Sequence, residues 1–168
     1  AGRERREVKR PGWFQGPTRS ARGIWAWVGW NKYERAMRGV VLYNAPLPAP
    51  NPRRVRIFLA EKGVTVPMTD IAIMKREHKS PEYLARNSLG QVPTLELDDG
   101  TTISETVAIC RYFEGLHPAP PMFGKTAFEH ALVDQWVRRV EFSVMTPVGM
   151  FWRHAHPFTA AVVVPQYK

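Results

Sequence analysis

The chain has 168 residues, one cysteine (Cys110) and a formal net charge of +9. A lone cysteine excludes an internal disulfide and any zinc site built on several cysteines. No apolar run is long enough to cross a bilayer, and no charged-then-apolar segment resembles a secretory signal, so a reducing, cytoplasmic setting is expected.

The charge resembles a nucleic-acid signature until it is located. Residues 1–38 hold 10 Lys/Arg against 3 Asp/Glu, whereas residues 39–168 hold 14 against 12. The part expected to fold therefore has no electrostatic reason to bind a polyanion, and nucleic acid is not an expected partner. Residues 1–38 also carry Trp13, Trp25, Trp27 and Trp30, with no helical or strand period. Three readings stay open for them: an appendage ahead of a start at Met37, a targeting or membrane-surface segment, or a basic arm for nucleic acid. The first is preferred, because arginine-rich runs are usually solvated and Glu4, Glu7 and Glu34 argue against a transit peptide.

Val40-Val41-Leu42-Tyr43 suits a short buried strand. The proline-rich stretch 44–50 reads as a loop. Asn51 is the expected cap of a helix over 52–62, with Pro52 in first position, Val55, Phe58 and Leu59 on one face, and Gly63 as the stop. Residues 65–70 read as a second strand. Ser80-Pro81-Glu82 starts another helix, running to Asn87. Gly90 opens a turn, 92–97 alternates as a strand, and Asp98-Asp99-Gly100 turns the chain into a partner strand over 101–103. A helix follows, with Ile109, Phe113 and Leu116 on its buried face. This order, β-α-β-α-β-β-α, predicts a thioredoxin-like α/β fold with a mixed four-stranded sheet over 39–116.

Residues 117–124, beginning His117-Pro118-Ala119-Pro120-Pro121, form a stiff linker. Thr126 and Glu129 propose a capping box for a helix stacking Leu132, Trp136 and Val140, and Thr146-Pro147 interrupts that pattern. The apolar run 160–164 stops without a clear ending. His154 and His156, two apart, point to different faces of a helix and have no evident third ligand, so no metal is expected. Cys110 is expected to act as a small hydrophobe on a helix flank.

The segments Leu42-Tyr43, Pro50-Asn51-Pro52-Arg53-Arg54 and Ala60-Glu61-Lys62-Gly63 resemble the first strand and helix of glutathione transferases. The stretch Glu77-His78-Lys79-Ser80-Pro81, the stretch Asn87-Ser88-Leu89-Gly90-Gln91-Val92-Pro93 and Ser104-Glu105-Thr106 match further signatures in order. The resemblance is to phi-like and bacterial members, closely over 40–116 and loosely beyond. It implies glutathione as co-substrate and a small electrophile as its partner. It implies that Pro93 is cis and that the Gln91-Val92 backbone pairs with the glutathione cysteinyl group. It implies that Thr106 holds the γ-glutamyl carboxylate, that Glu105 pairs with the γ-glutamyl ammonium, and that His78 and Lys79 face the glycyl carboxylate. Each motif alone also has a plain structural reading, as strand start, helix cap or surface charge.

The thiol-activating position departs from the family pattern. Ala49 and Pro52 stand where relatives place a serine or a cysteine, and neither side chain donates a hydrogen bond. Asn51 is the remaining candidate, through its amide and the helix dipole. Tyr43 is a second candidate but is expected to pack in the core. A Cys-x-x-Cys redox pair is excluded. Residues 125–168 are expected to form only the start of an incomplete all-α domain, truncated relative to the family. The resemblance also implies a homodimer for a full-length chain. A non-catalytic binding or interaction module of the same fold is the alternative reading.

Overall fold

The computed structural model describes residues 39–46 and 49–157. The expected extension over 1–38 and the apolar run over 160–164 lie outside the described residues.

Strand β1 (Val41–Asn44) leads into helix α1 (Pro50–Glu61), and β2 (Met68–Asp70) returns parallel to β1. Two short 3₁₀ turns, Ile73–Lys75 and Glu77–Lys79, then connect to α2 (Pro81–Arg86). Strands β3 (Thr94–Glu96) and β4 (Thr102–Ser104) form the hairpin, and α3 (Thr106–Leu116) completes the unit. Sheet order is β2-β1-β3-β4, with β3 antiparallel to both of its neighbours. This is the mixed thioredoxin-like sheet expected from the sequence. Strands β2 and β3 are shorter than the expected 65–70 and 92–97, because the ladders take in only Met68–Asp70 and Thr94–Glu96.

One face of the sheet is covered by α1 and α3, which pack on each other. Leu42, Leu95, Val55, Leu59, Ile109 and Phe113 are almost wholly removed from water there. Burial of this kind contributes roughly 2 kcal/mol per large aliphatic side chain. The α2 side is more polar. Tyr43, expected in the core, is half-buried; its hydroxyl donates to Glu96 Oε2 at 2.8 Å, and the Arg86 guanidinium lies 5.0 Å from its ring centroid. A phenol has a polar end, so it packs at the core edge where that end finds a partner.

The local start signals work as their chemistry requires. The Ser80 hydroxyl accepts from Tyr83 N–H, and Thr126 with Glu129 completes both arms of the capping box on α4 (Ala127–Val140). Helix α1 is the exception. It begins at Pro50 with Ala49 as its cap, so Asn51 is the second helical residue and not the cap. Both Pro50 and Pro52 accept helical φ without losing a bond, and the helix therefore starts earlier than a cap rule suggests. Beyond α4, a wide π turn over Glu141–Met145 carries the chain into α5 (Thr146–His154), so the expected break is a bulge in one helical run. Leu132, Trp136 and Val140 line up on α4 as expected and are exposed.

One buried cation ties the two helical regions together. The Lys62 side chain is fully buried, pairs with Glu114, and donates to the carbonyls of His117 and Pro120. Glu114 in turn accepts from the N–H groups of Met122 and Phe123. Removing one partner of such a pair strands the other charge. Lys62→Ala is therefore expected to lower unfolding free energy by about 3 kcal/mol in urea titration, whereas Arg138→Ala, which breaks an exposed pair with Glu141, should cost under about 1 kcal/mol.

Candidate functional site

The strand directions decide where the chemistry collects. Because β3 runs against both neighbours, β1 and β4 are parallel to each other, and β2 is parallel to β1. The C-terminal ends of β1, β2 and β4 and the start of β3 therefore share one edge of the sheet. Helix α1 follows β1 there after a short loop, and α3 follows β4 directly. The strands that lead into them, β1 and β4, are two strand spacings apart, about 10 Å.

A cavity of about 1070 Å³ opens at this edge. Ala49, Asn51 and Arg54 enter it from α1, Gln91, Val92 and Pro93 from the approach to β3, and Glu105 and Thr106 from the start of α3. Its opposite wall is mainly apolar, with Met145, Val148, Met150 and Trp152 beside Arg153. The structure thus brings Asn51, Gln91, Val92, Pro93, Glu105 and Thr106 to one cavity. The Val92–Pro93 peptide is cis.

Neither α1 nor α3 is capped by its own side chain. An uncapped N-terminus leaves first-turn N–H groups and a positive dipole end for a ligand. In α1 two of the first three positions are proline, so Asn51 supplies the one first-turn N–H among them as well as its side-chain amide. At α3, Thr106 is buried and its hydroxyl accepts from Arg54 Nη1 at 2.8 Å. Glu105 sits just before the helix at φ 70°, exposed. That backbone geometry is uncommon outside glycine and directs the residue out of the helical path.

His78 and Lys79 occupy the second 3₁₀ turn and do not line the cavity; Lys75, from the turn before, does. The Lys79 ammonium donates to the Leu89 carbonyl at 2.8 Å. His78 is half-buried, with its pKa lowered first by burial and then by the nearby Lys79 and Arg76 charges. Gly90, at φ 56°, lies so close that a Cβ there would stand 2.6 Å from the His78 carbonyl. Arg54 and Lys75 were not singled out from the sequence. Arg54 lies in the matched motif, but nothing in a run of arginines says which one turns toward the neighbouring helix.

Tyr43 does not line the cavity and its hydroxyl is committed to Glu96. Arg86 Nε donates to the same Glu96 oxygen at 2.9 Å, and these two donors hold the carboxyl below its usual range. His156 stacks on Trp152 at 4.0 Å. Among the described residues, no cluster of three or more His, Cys, Asp or Glu could hold a metal, and no helix is long and apolar enough to cross a membrane.

Residues 49–116 match the family described as the glutathione S-transferase N-terminal domain. Glutathione S-transferase 2 of Saccharomyces cerevisiae is 41% identical over 130 residues, covering 76% of this chain and 55% of that protein. Glutathione S-transferase F10 of Arabidopsis thaliana is 38% identical over 100 residues, covering 58% of this chain and 46% of that protein. The crystal structure of Gtt2 from Saccharomyces cerevisiae superposes with a TM-score of 0.66 at 43% identity, over 70% of this chain and 57% of that one. The chain belongs to the glutathione transferase family, with the thioredoxin-like N-terminal domain followed by helices of the C-terminal domain. It spans about half the length of these relatives.

Cys110 is buried on α3, where burial pushes its thiol pKa up to about 11. The thiolate is the reactive form. The native protein is expected to leave a disulfide-exchange reagent unreacted at pH 8 over minutes and to consume one equivalent once unfolded in urea; rapid native reaction would contradict this burial.

Proposed function

We propose that the protein binds glutathione in this cavity and transfers its thiolate to a small electrophile. The observation that carries the proposal is the convergence of two uncapped helix N-termini and the Gln91-Val92 backbone on one cavity with an apolar opposite wall. Glutathione is a short peptide with two carboxylates, an ammonium and a thiol, and each has a complementary group here.

The γ-glutamyl carboxylate lies at the start of α3, on the Thr106 hydroxyl and first-turn N–H groups, with Arg54 behind that hydroxyl. Glu105 pairs with the ammonium. The cysteinyl backbone pairs with Gln91-Val92 ahead of Pro93 as an added strand. The glycyl carboxylate falls to the segment after β2, with the Lys75 cation on the wall and His78, as a neutral hydrogen-bonding group, and Lys79 in the next turn. The thiol then reaches the start of α1. Its proton leaves to solvent, and the thiolate is held by the Asn51 amide and the helix dipole. The sulfur attacks the electrophilic carbon, forming the C–S bond, and the leaving group departs with its electron pair. The apolar wall of Met145, Val148 and Trp152 receives the electrophile. A cytoplasmic detoxifying role and a homodimer of a full-length chain complete the reading.

Calorimetry with reduced glutathione and turnover of a chlorodinitrobenzene substrate test this directly. Binding without turnover would leave the non-catalytic module. Glu105→Gln and Thr106→Val should each weaken glutathione binding about fivefold to tenfold, one charge-assisted or neutral hydrogen bond apiece. Asn51→Ala should lower kcat roughly tenfold or more with a smaller change in glutathione affinity, and should move the thiolate ultraviolet titration to higher pH. Unchanged kcat in that variant would remove Asn51 from the mechanism.

A further inference from the structure

The carbonyl of Gln91 is gripped from behind the cavity by a closed set of buried side chains. The Tyr83 hydroxyl donates to it at 2.7 Å and Asn87 Nδ2 donates to it at 2.9 Å. These two close donors match the two lone pairs of a carbonyl oxygen, and Thr94 Oγ1 lies a further 3.3 Å from the same atom. The second Asn87 amide hydrogen is directed to Thr94 Oγ1 at 3.1 Å, and Thr94 Oγ1 lies 3.0 Å from the Tyr83 hydroxyl. With the Tyr83 proton committed to Gln91, the Thr94 hydroxyl donates either to Tyr83 or, at 3.3 Å, to the Gln91 carbonyl itself, and the ring closes either way. The Asn87 carbonyl oxygen accepts from Leu89 N–H at 3.1 Å, so that side chain is fully used too. Tyr83, Asn87 and Thr94 are 3%, 7% and 0% exposed, which makes this a desolvated polar network rather than a set of surface contacts.

A network of this kind is more than the strand start needs, since β3 is already held by its ladders to β1 and β4. Its effect falls on one peptide plane. The Gln91–Val92 bond is trans, so its C=O and N–H point in opposite directions. Fixing the carbonyl toward α2 fixes the Val92 N–H away from α2, on the side where Gln91 and Val92 line the cavity.

We propose that Tyr83, Asn87 and Thr94 are positioning residues for glutathione: by clamping the Gln91 carbonyl they aim the Val92 N–H at the ligand's cysteinyl carbonyl. The inference rests on the glutathione reading of the cavity and adds a cause for its strand-like recognition. The clamp acts through orientation. Without it the peptide plane can rotate, and the ligand must bear the cost of ordering it on binding.

Titration of the full chain with glutathione, followed by calorimetry and by the amide resonance of Val92 in valine-labelled protein, tests the clamp. Tyr83→Phe and Thr94→Val should each raise the glutathione Kd about fivefold, and the double variant more, with the Val92 amide shift altered before ligand is added. Thr94→Ser keeps the hydroxyl and should restore both readouts. Phe123→Leu, which trims a core contact with Phe58 on another part of the molecule, should lower Tm without changing Kd. Unchanged Kd and an unchanged Val92 resonance in Tyr83→Phe and Thr94→Val, beside a wild type that binds, would overturn the clamp and leave glutathione binding standing. A folded wild type that binds no glutathione would overturn the underlying reading.

Discussion

The cavity depends on β3 running antiparallel between two parallel strands. Reverse that one strand and its start, with Gln91, Val92 and Pro93, moves to the far edge of the sheet, away from both helix N-termini. The direction is held by the ladder, by the fully buried Leu42–Leu95 pair and by the half-buried Ile103 opposite Leu95. A slip of one residue would turn Leu95 outward and bring Thr94 into the apolar layer, so the register is strongly specified. Thr94 is fully buried on the other face, within the polar ring that faces Gln91. The same alternation that supplies a leucine to the core therefore supplies a hydroxyl to the clamp.

Charge placement follows from that geometry. Two helix N-termini at one edge create a positive region with no formal charge, and Arg54 adds one where α1 meets Thr106. Glu105 lies against it, outside the helix. A ligand carrying both a carboxylate and an ammonium matches this arrangement better than an anion alone. Arg56, one turn face away, is spent differently: it donates to the Asn44 side chain and the Ala45 carbonyl at 2.8 and 2.9 Å and stiffens the loop that carries the chain from β1 to α1. Neighbouring arginines on one helix thus divide into a cavity residue and a scaffold residue.

Element order was legible from the sequence because each signal was local. Ser80 before Pro81, Thr126 three residues before Glu129, and Asp98-Asp99-Gly100 each satisfy backbone groups within a turn of themselves. The cavity residues Gln91, Val92, Glu105 and Thr106 were legible through family motifs, which encode a three-dimensional meeting that no spacing rule contains. What escaped was set by long-range partners. Arg54 was missed because its partner lies 52 residues away, and the half-burial of Tyr43 depends on Glu96, 53 residues away. The start of α1 was misplaced because proline at two successive alternate positions fits a helix as readily as a loop. Lys75 was passed over in favour of His78 and Lys79 because the pattern records residue types, whereas the left-handed Arg76 between the two turns decides which side chains reach the wall.

The π turn between α4 and α5 gives the apolar wall its position. A proline in a regular helix would lack the N–H that the carbonyl four residues earlier expects and would crowd it. Here the chain widens over Glu141–Met145, the Thr146 hydroxyl donates to the Glu141 carbonyl at 2.9 Å, and Pro147 falls in the first turn of α5, where no donor is required. An extra residue in one turn also rotates everything beyond it relative to α4. Leu132, Trp136 and Val140 of α4 do not line the cavity, whereas Met145 at the end of the bulge and Val148 and Trp152 beyond it do. A local solution to an unsatisfied carbonyl thereby supplies an apolar surface opposite a polar one. That pairing is what the proposed reaction between a hydrophilic thiol peptide and a hydrophobic electrophile requires.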